Sequence, residues 1–105
     1  MERGATAKVI FKFPPDVDLD DVEDIRLYVR GDGSGARLTK IGGCGEMEFQ
    51  GTDKIAVLFS QQDTLKFGDG EELSMQWHWR KNDGTAGVSK IIRTEIYKFL
   101  GSEPI

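Results

Sequence analysis

The sequence predicts an all-β fold, an antiparallel β-sandwich of about seven strands with one or two short helical turns. Two observations lead there. Apolar and polar residues alternate with a period of two in segment after segment, and clusters drawn from the 13 glycines separate those segments. A length of 105 residues fits one domain, assigned to residues 1–105, with 1–5 and 101–105 expected to be loose.

The elements follow in order. In residues 6–13, Ala7, Val9, Phe11 and Phe13 share one face and Lys8 and Lys12 the other. Residues 16–24 space their apolar side chains irregularly, and Asp20 with Glu23 fits a capping box, so one helical turn is expected there. In residues 25–30, Ile25, Leu27 and Val29 oppose Arg26, Tyr28 and Arg30. Residues 37–41 form a weaker strand. Residues 46–50 place Met47 and Phe49 inward. Residues 54–59 are apolar on both faces, as in a central strand covered on each side. A second helical turn is expected within 61–67. Residues 73–81 give the clearest strand, with Leu73, Met75, Trp77 and Trp79 facing Ser74, Gln76, His78 and Arg80 across the sheet. Asp83-Gly84 supplies the positive φ of a tight hairpin. The partner strand runs from 86 to about 97, with a bulge near 90–92 where its apolar face changes. Short strands at this spacing indicate an immunoglobulin-like sandwich.

Charge and composition exclude several function classes. With 18 acidic and 14 basic residues the net charge is −4, the opposite of a nucleic-acid footprint. No apolar run approaches the roughly 20 residues that span a bilayer, and Met1 leads directly into strand-like sequence, so neither a membrane partner nor a signal peptide is expected. The lone Cys44 permits no internal disulfide and no cysteine zinc site.

Each candidate site has a plainer reading. Asp16, Asp18 and Asp20 have the opening spacing of a calcium loop, but Asp21 and Leu27 stand where that loop needs glycine and glutamate, so a solvated acidic turn is expected. Gly31-Asp32-Gly33-Ser34-Gly35 and Gly68-Asp69-Gly70 lack the spacing of phosphate loops. Cys44 with His78 makes a conceivable nucleophile pair without an orienting group. Trp77 and Trp79 could stack on a sugar, but sharing a face with Leu73 and Met75 points to the core. No catalytic, cofactor-binding or metal-binding residue is assigned. Gln76, His78 and Arg80 form a polar face suited to a protein partner.

The segment Ser60-Gln61-Gln62-Asp63-Thr64-Leu65-Lys66-Phe67, the Asn82-Asp83-Gly84-Thr85 hairpin and Ser89-Lys90-Ile91 occur in an order that resembles small proteins encoded among the structural genes of tailed bacteriophages and prophages. In that group a [ST]-Q-x-[DE]-T-L-x-F motif precedes a D-G-[ST] turn and an S-x-I strand. The resemblance implies a non-enzymatic virion or assembly protein of the tail, baseplate or head. It would be made in the bacterial host cytoplasm, contact other virion proteins and form a homo-oligomer. The motif itself reads first as structural: Asp63 or Thr64 satisfies a turn, and Leu65 and Phe67 plug the sandwich end. A carbohydrate- or ligand-binding module and a phage-encoded inhibitor of a host protein are the alternatives.

Overall fold

The structure, a computed structural model, describes residues 6–43, 45–68 and 70–95. Among the described residues, eight strands form two antiparallel sheets packed as a β-sandwich. The smaller sheet has the order β1 (Ala7–Lys12), β5 (Lys54–Phe59), β4 (Met47–Gln50). The larger has the order β3 (Arg37–Ile41), β2 (Val22–Gly31), β6 (Glu72–Lys81), followed on the free side of β6 by β7 (Ala86–Val88) and β8 (Ile92–Glu95). A 3-10 turn, Leu19–Asp21, and a short helix α1, Gln61–Leu65, are the helical elements among the described residues.

Period-two burial follows from the pleat: successive side chains point to opposite faces, so every second residue reaches the core. In β2, Ile25, Leu27 and Val29 are buried; in β6, Leu73, Met75 and Trp77; in β5, Ile55, Val57 and Phe59. Register aligns them across strands, with Leu27 opposite Trp77 and Val29 opposite Met75. Phe11 and Phe13 from the smaller sheet meet the Trp77 ring edge-on at 5.2 Å each. Burying a large apolar side chain contributes roughly 1.5–3 kcal/mol, so this shared core dominates the stability of the fold.

Four expectations need correction. The helical turn near residue 20 is capped by Asp18, whose carboxylate accepts from the Asp20 N–H, and not by an Asp20–Glu23 box. β5 is covered on one face: Ala56 is buried, but Leu58 points outward and is 39% exposed. Phe49, expected inward beside Met47, is 44% exposed because it stands on the edge strand β4, where it lines an open concavity with Ile25, Gly42 and Met47. Trp79 is only half-buried, packed against Phe13 at 6.1 Å, while Trp77 is fully buried.

The final strand is divided. His78 pairs with Val88, but Met75 pairs with Ile92, so residues 89–91 stand opposite Gln76 and Trp77. That one-residue excess is a bulge, placed where the change of apolar face indicated it. Ser89 holds it, its Oγ accepting from the Trp77 N–H at 2.9 Å and its own N–H donating to the Trp77 carbonyl at 2.9 Å. The part of the expected strand beyond Glu95, the residues 1–5 and 101–105 expected to be loose, and Cys44 lie outside the described residues.

Candidate functional site

The motif at 60–67 builds a corner between the sheets. Ser60 caps α1 by accepting from the Asp63 N–H at 3.1 Å, and Asp63 returns the bond, accepting from the Ser60 N–H at 2.9 Å. This reciprocal box satisfies two N–H groups that a helix start leaves orphaned. Thr64 is fully buried and its hydroxyl donates to the Gln61 carbonyl at 3.1 Å. Phe67 is buried in the core, and Leu65 is half-buried.

A cation locks this corner to the larger sheet. Lys40 is 3% exposed, at an inward position of β3 opposite Leu27. Its ammonium lies 2.6 Å from Asp63, against Glu46, and 5.6 Å over the Phe59 ring. Burial works against its charge. The hydrogen bonds and charges of Asp63 and Glu46 outweigh that penalty and raise its pKa. The same balance lowers the pKa of Asp63: burial opposes ionisation, but Lys40 and the Ser60 N–H favour it.

Glu71 performs a similar task at the far end. It is buried, and its carboxylate accepts from the Ser34 N–H, the Ser34 hydroxyl at 3.0 Å and the Gly68 N–H at 3.2 Å. The two glycine-rich loops therefore do cradle an anion, which is a carboxylate of this chain. Desolvation is offset by these donors, and the pKa of Glu71 is lowered. At the hairpin, Gly84 adopts φ of 88°, and the Asp83 carboxylate accepts from the Thr85 N–H at 2.9 Å.

The polar partner-facing residues lie together on the outer face of the larger sheet. His78 is exposed, bonded to Gln76 at 3.1 Å, with its ring 4.8 Å from Tyr28. Arg80 is exposed and 3.9 Å from Glu23. In register with them, Arg26, Arg30, Arg37 and Arg93 point the same way. Asp24 pairs with Arg26, Asp32 with Arg30 and Glu72 with Arg93, so the face is laced with exposed ion pairs, which water screens and which add little to stability. A shallow groove of about 390 Å³ crosses it between Tyr28, Arg37, Gln76 and Ile91.

A second concavity opens along one flank. The smaller sheet ends at β1, while the larger continues outward through β7 and β8. Between them is a cleft of about 680 Å³ lined by Ile10, Phe11, Phe13, Trp77, Trp79 and Ile92 among others. Trp77 is one of the lining residues, and its Nε1–H is buried without a hydrogen-bond partner. Gly87 is required on the β7 side, because a Cβ there would come within 2.5 Å of the Trp79 ring.

Among the described residues, no group of three or more His, Cys, Asp or Glu side chains is placed to hold a metal ion, and no helix is long and apolar enough to cross a membrane. Cys44, the partner suggested for the exposed His78, lies outside the described residues. Trp77 is too buried for a sugar platform. Lys40, Glu71 and Ser89 were not anticipated. Lys40 carried a signal in sharing the inward parity of Leu38, and Ser89 in standing within the S-x-I segment, whereas Glu71 carried none. Comparisons with family models, curated proteins and solved structures return no match.

Proposed function

We propose that this chain is a non-enzymatic structural or assembly component of a tailed-phage particle, acting through protein–protein contacts. The observation carrying the reading is the way the phage-like motif is used. Ser60, Asp63, Thr64 and Phe67 serve a capping box, a buried ion cluster and the core. A motif spent on the fold leaves function to the surfaces around it. Those surfaces are of the adhesive kind: Ile10, Ile41, Leu58, Val88 and Ile91 are all substantially exposed. Both sheets also end in strands with free edges among the described residues, and such edges readily pair with another chain. Gln76, His78 and Arg80 add a polar rim. The expected setting is the tail, baseplate or head, in contact with other virion proteins and with further copies of itself.

The test is mass spectrometry of density-purified particles from an induced host strain encoding the chain. The reading expects the chain in particles at a fixed ratio to the major structural proteins. Its absence from particles, with abundant chain free in the lysate, contradicts it.

A further inference from the structure

We propose that the flank cleft between β1 and β7/β8 takes up an extended peptide strand from a partner protein, alternately apolar and acidic, added to the free edge of β1. The proposal deepens the assembly reading and rests on it, by naming the surface and the chemistry of the partner.

The sheet order leaves a place for such a strand. In a seven-stranded sandwich with sheets ABED and CFG, β1, β5 and β4 occupy the positions of B, E and D, and β2, β6 and β7/β8 those of C, F and G. The position of A, beside B, holds no strand among the described residues. The inner side of β7/β8 is correspondingly uncovered, with Ile92 36% exposed and Trp79 half-buried. An edge strand offers unpaired N–H and C=O groups to an incoming backbone. Alternate side chains of an added strand point inward, onto the floor made by Phe11, Phe13, Trp79 and Ile92.

The buried Trp77 indole supplies the second requirement. A buried donor left unpaired is unfavourable, because it has given up water without gaining an acceptor. Trp77 is among the residues that line this cleft, its Nε1–H is shielded from solvent behind them, and an extended peptide that displaces that cover presents a carbonyl acceptor at every residue.

Charge selects the occupant. Lys8 and Lys12 project from the outer face of β1, Lys8 already paired with Glu48 at 3.4 Å; Lys12 and Lys90 stand on opposite lips of the cleft, with Asp16 the one acid of its lining among the described residues. Residues of an added strand that point outward lie beside Lys8 and Lys12, so acidic residues are favoured there. A second copy joined through β1 fits poorly. Antiparallel pairing centred on Ile10 sets Lys8 of each copy against Lys12 of the other, and like charges directly opposite are destabilising.

The probe is the blocked peptide acetyl-Glu-Val-Glu-Phe-Glu-Val-Glu-amide, titrated into the full chain by NMR beside its counterpart carrying Lys for every Glu. The acidic peptide is expected to bind at least about tenfold tighter at low salt. Amide shifts should fall in β1 and residues 86–92, and the Trp77 indole proton should move downfield. Lys12→Glu with Lys90→Glu should reverse the preference, and salt should erode it in the wild-type chain should that variant misfold. No shifts at millimolar peptide, shifts confined to other surfaces, or equal binding of both peptides overturns the proposal. So does a concentration-dependent dimer that seats a second copy on β1. None of these results touches the presence of the chain in particles, so this proposal and the assembly reading fail separately.

Discussion

Replacing Lys40 by methionine removes the only cation in contact with Asp63 and Glu46 among the described residues while keeping side-chain volume over the Phe59 ring. Breaking a buried ion pair from one side costs about 3–5 kcal/mol, because the remaining charge is left buried and uncompensated. Here the remaining carboxylates are not equally buried: the Asp63 side chain is 16% exposed and that of Glu46 is 42% exposed. Glu46 can recover hydration, and Asp63 keeps its bond from the Ser60 N–H. The expected loss is therefore smaller, about 2–3 kcal/mol. In a domain of this length that lowers Tm by roughly 10 °C. Urea denaturation of Lys40→Met, Asp63→Asn and the double variant completes a cycle, with a coupling of about 1–3 kcal/mol expected. The double variant should also recover part of the loss of Lys40→Met. A single variant within about 0.5 kcal/mol of wild type, the range of an ordinary surface substitution, would refute the view that this ion cluster fastens the 60–67 corner.

Further outcomes are expected. Asp63 and Glu71 have folded pKa values below their unfolded values of about 3.9 and 4.3. Their contribution is complete above that range and lost as pH falls through the lowered folded values; Glu71→Gln should flatten an acid titration of stability. Lys40 carries the opposite sign, its contribution present below about 10.4 and lost as pH rises beyond. Gly87→Ala drives a methyl into the Trp79 ring, and should cost about 1–3 kcal/mol and shift tryptophan emission to the red; unchanged emission would contradict that packing. Ser89→Ala deprives the Trp77 N–H of its acceptor, and should cost about 1–3 kcal/mol with faster hydrogen exchange at that amide.

The legible part of this molecule is its strands, because burial on one face of a pleat writes itself as alternation. Ile25-Leu27-Val29 and Leu73-Met75-Trp77 are inward as their spacing indicates. What alternation cannot register is how far the opposing sheet extends. Trp79, Phe49 and Leu58 have core chemistry, yet their exposure is decided by whether a strand lies across from them. The bulge was legible as a change of face, whereas the Ser89 hydroxyl that holds it was not. Long-range polar contacts were equally silent: Glu71 reads as an exposed acid until the fold brings Ser34 and Gly68 around it. Gln76, His78 and Arg80 were grouped correctly on one face by parity alone. The flank cleft joins β1 to strands some 80 residues later in the chain, and no local pattern announces it.

The proposed role, contact with other proteins of a particle, has a direct test. The most direct measurement replaces Ile10, 57% exposed on β1 beside the cleft, with a photo-reactive benzoylphenylalanine during particle production. Irradiation of purified particles followed by mass spectrometry then identifies what lies against that strand. The predicted result is a cross-link to an extended segment of another virion protein, lost when the cross-linker is moved to the exposed hairpin position Asn82. Full incorporation of the cross-linker with no adduct in particles would contradict it.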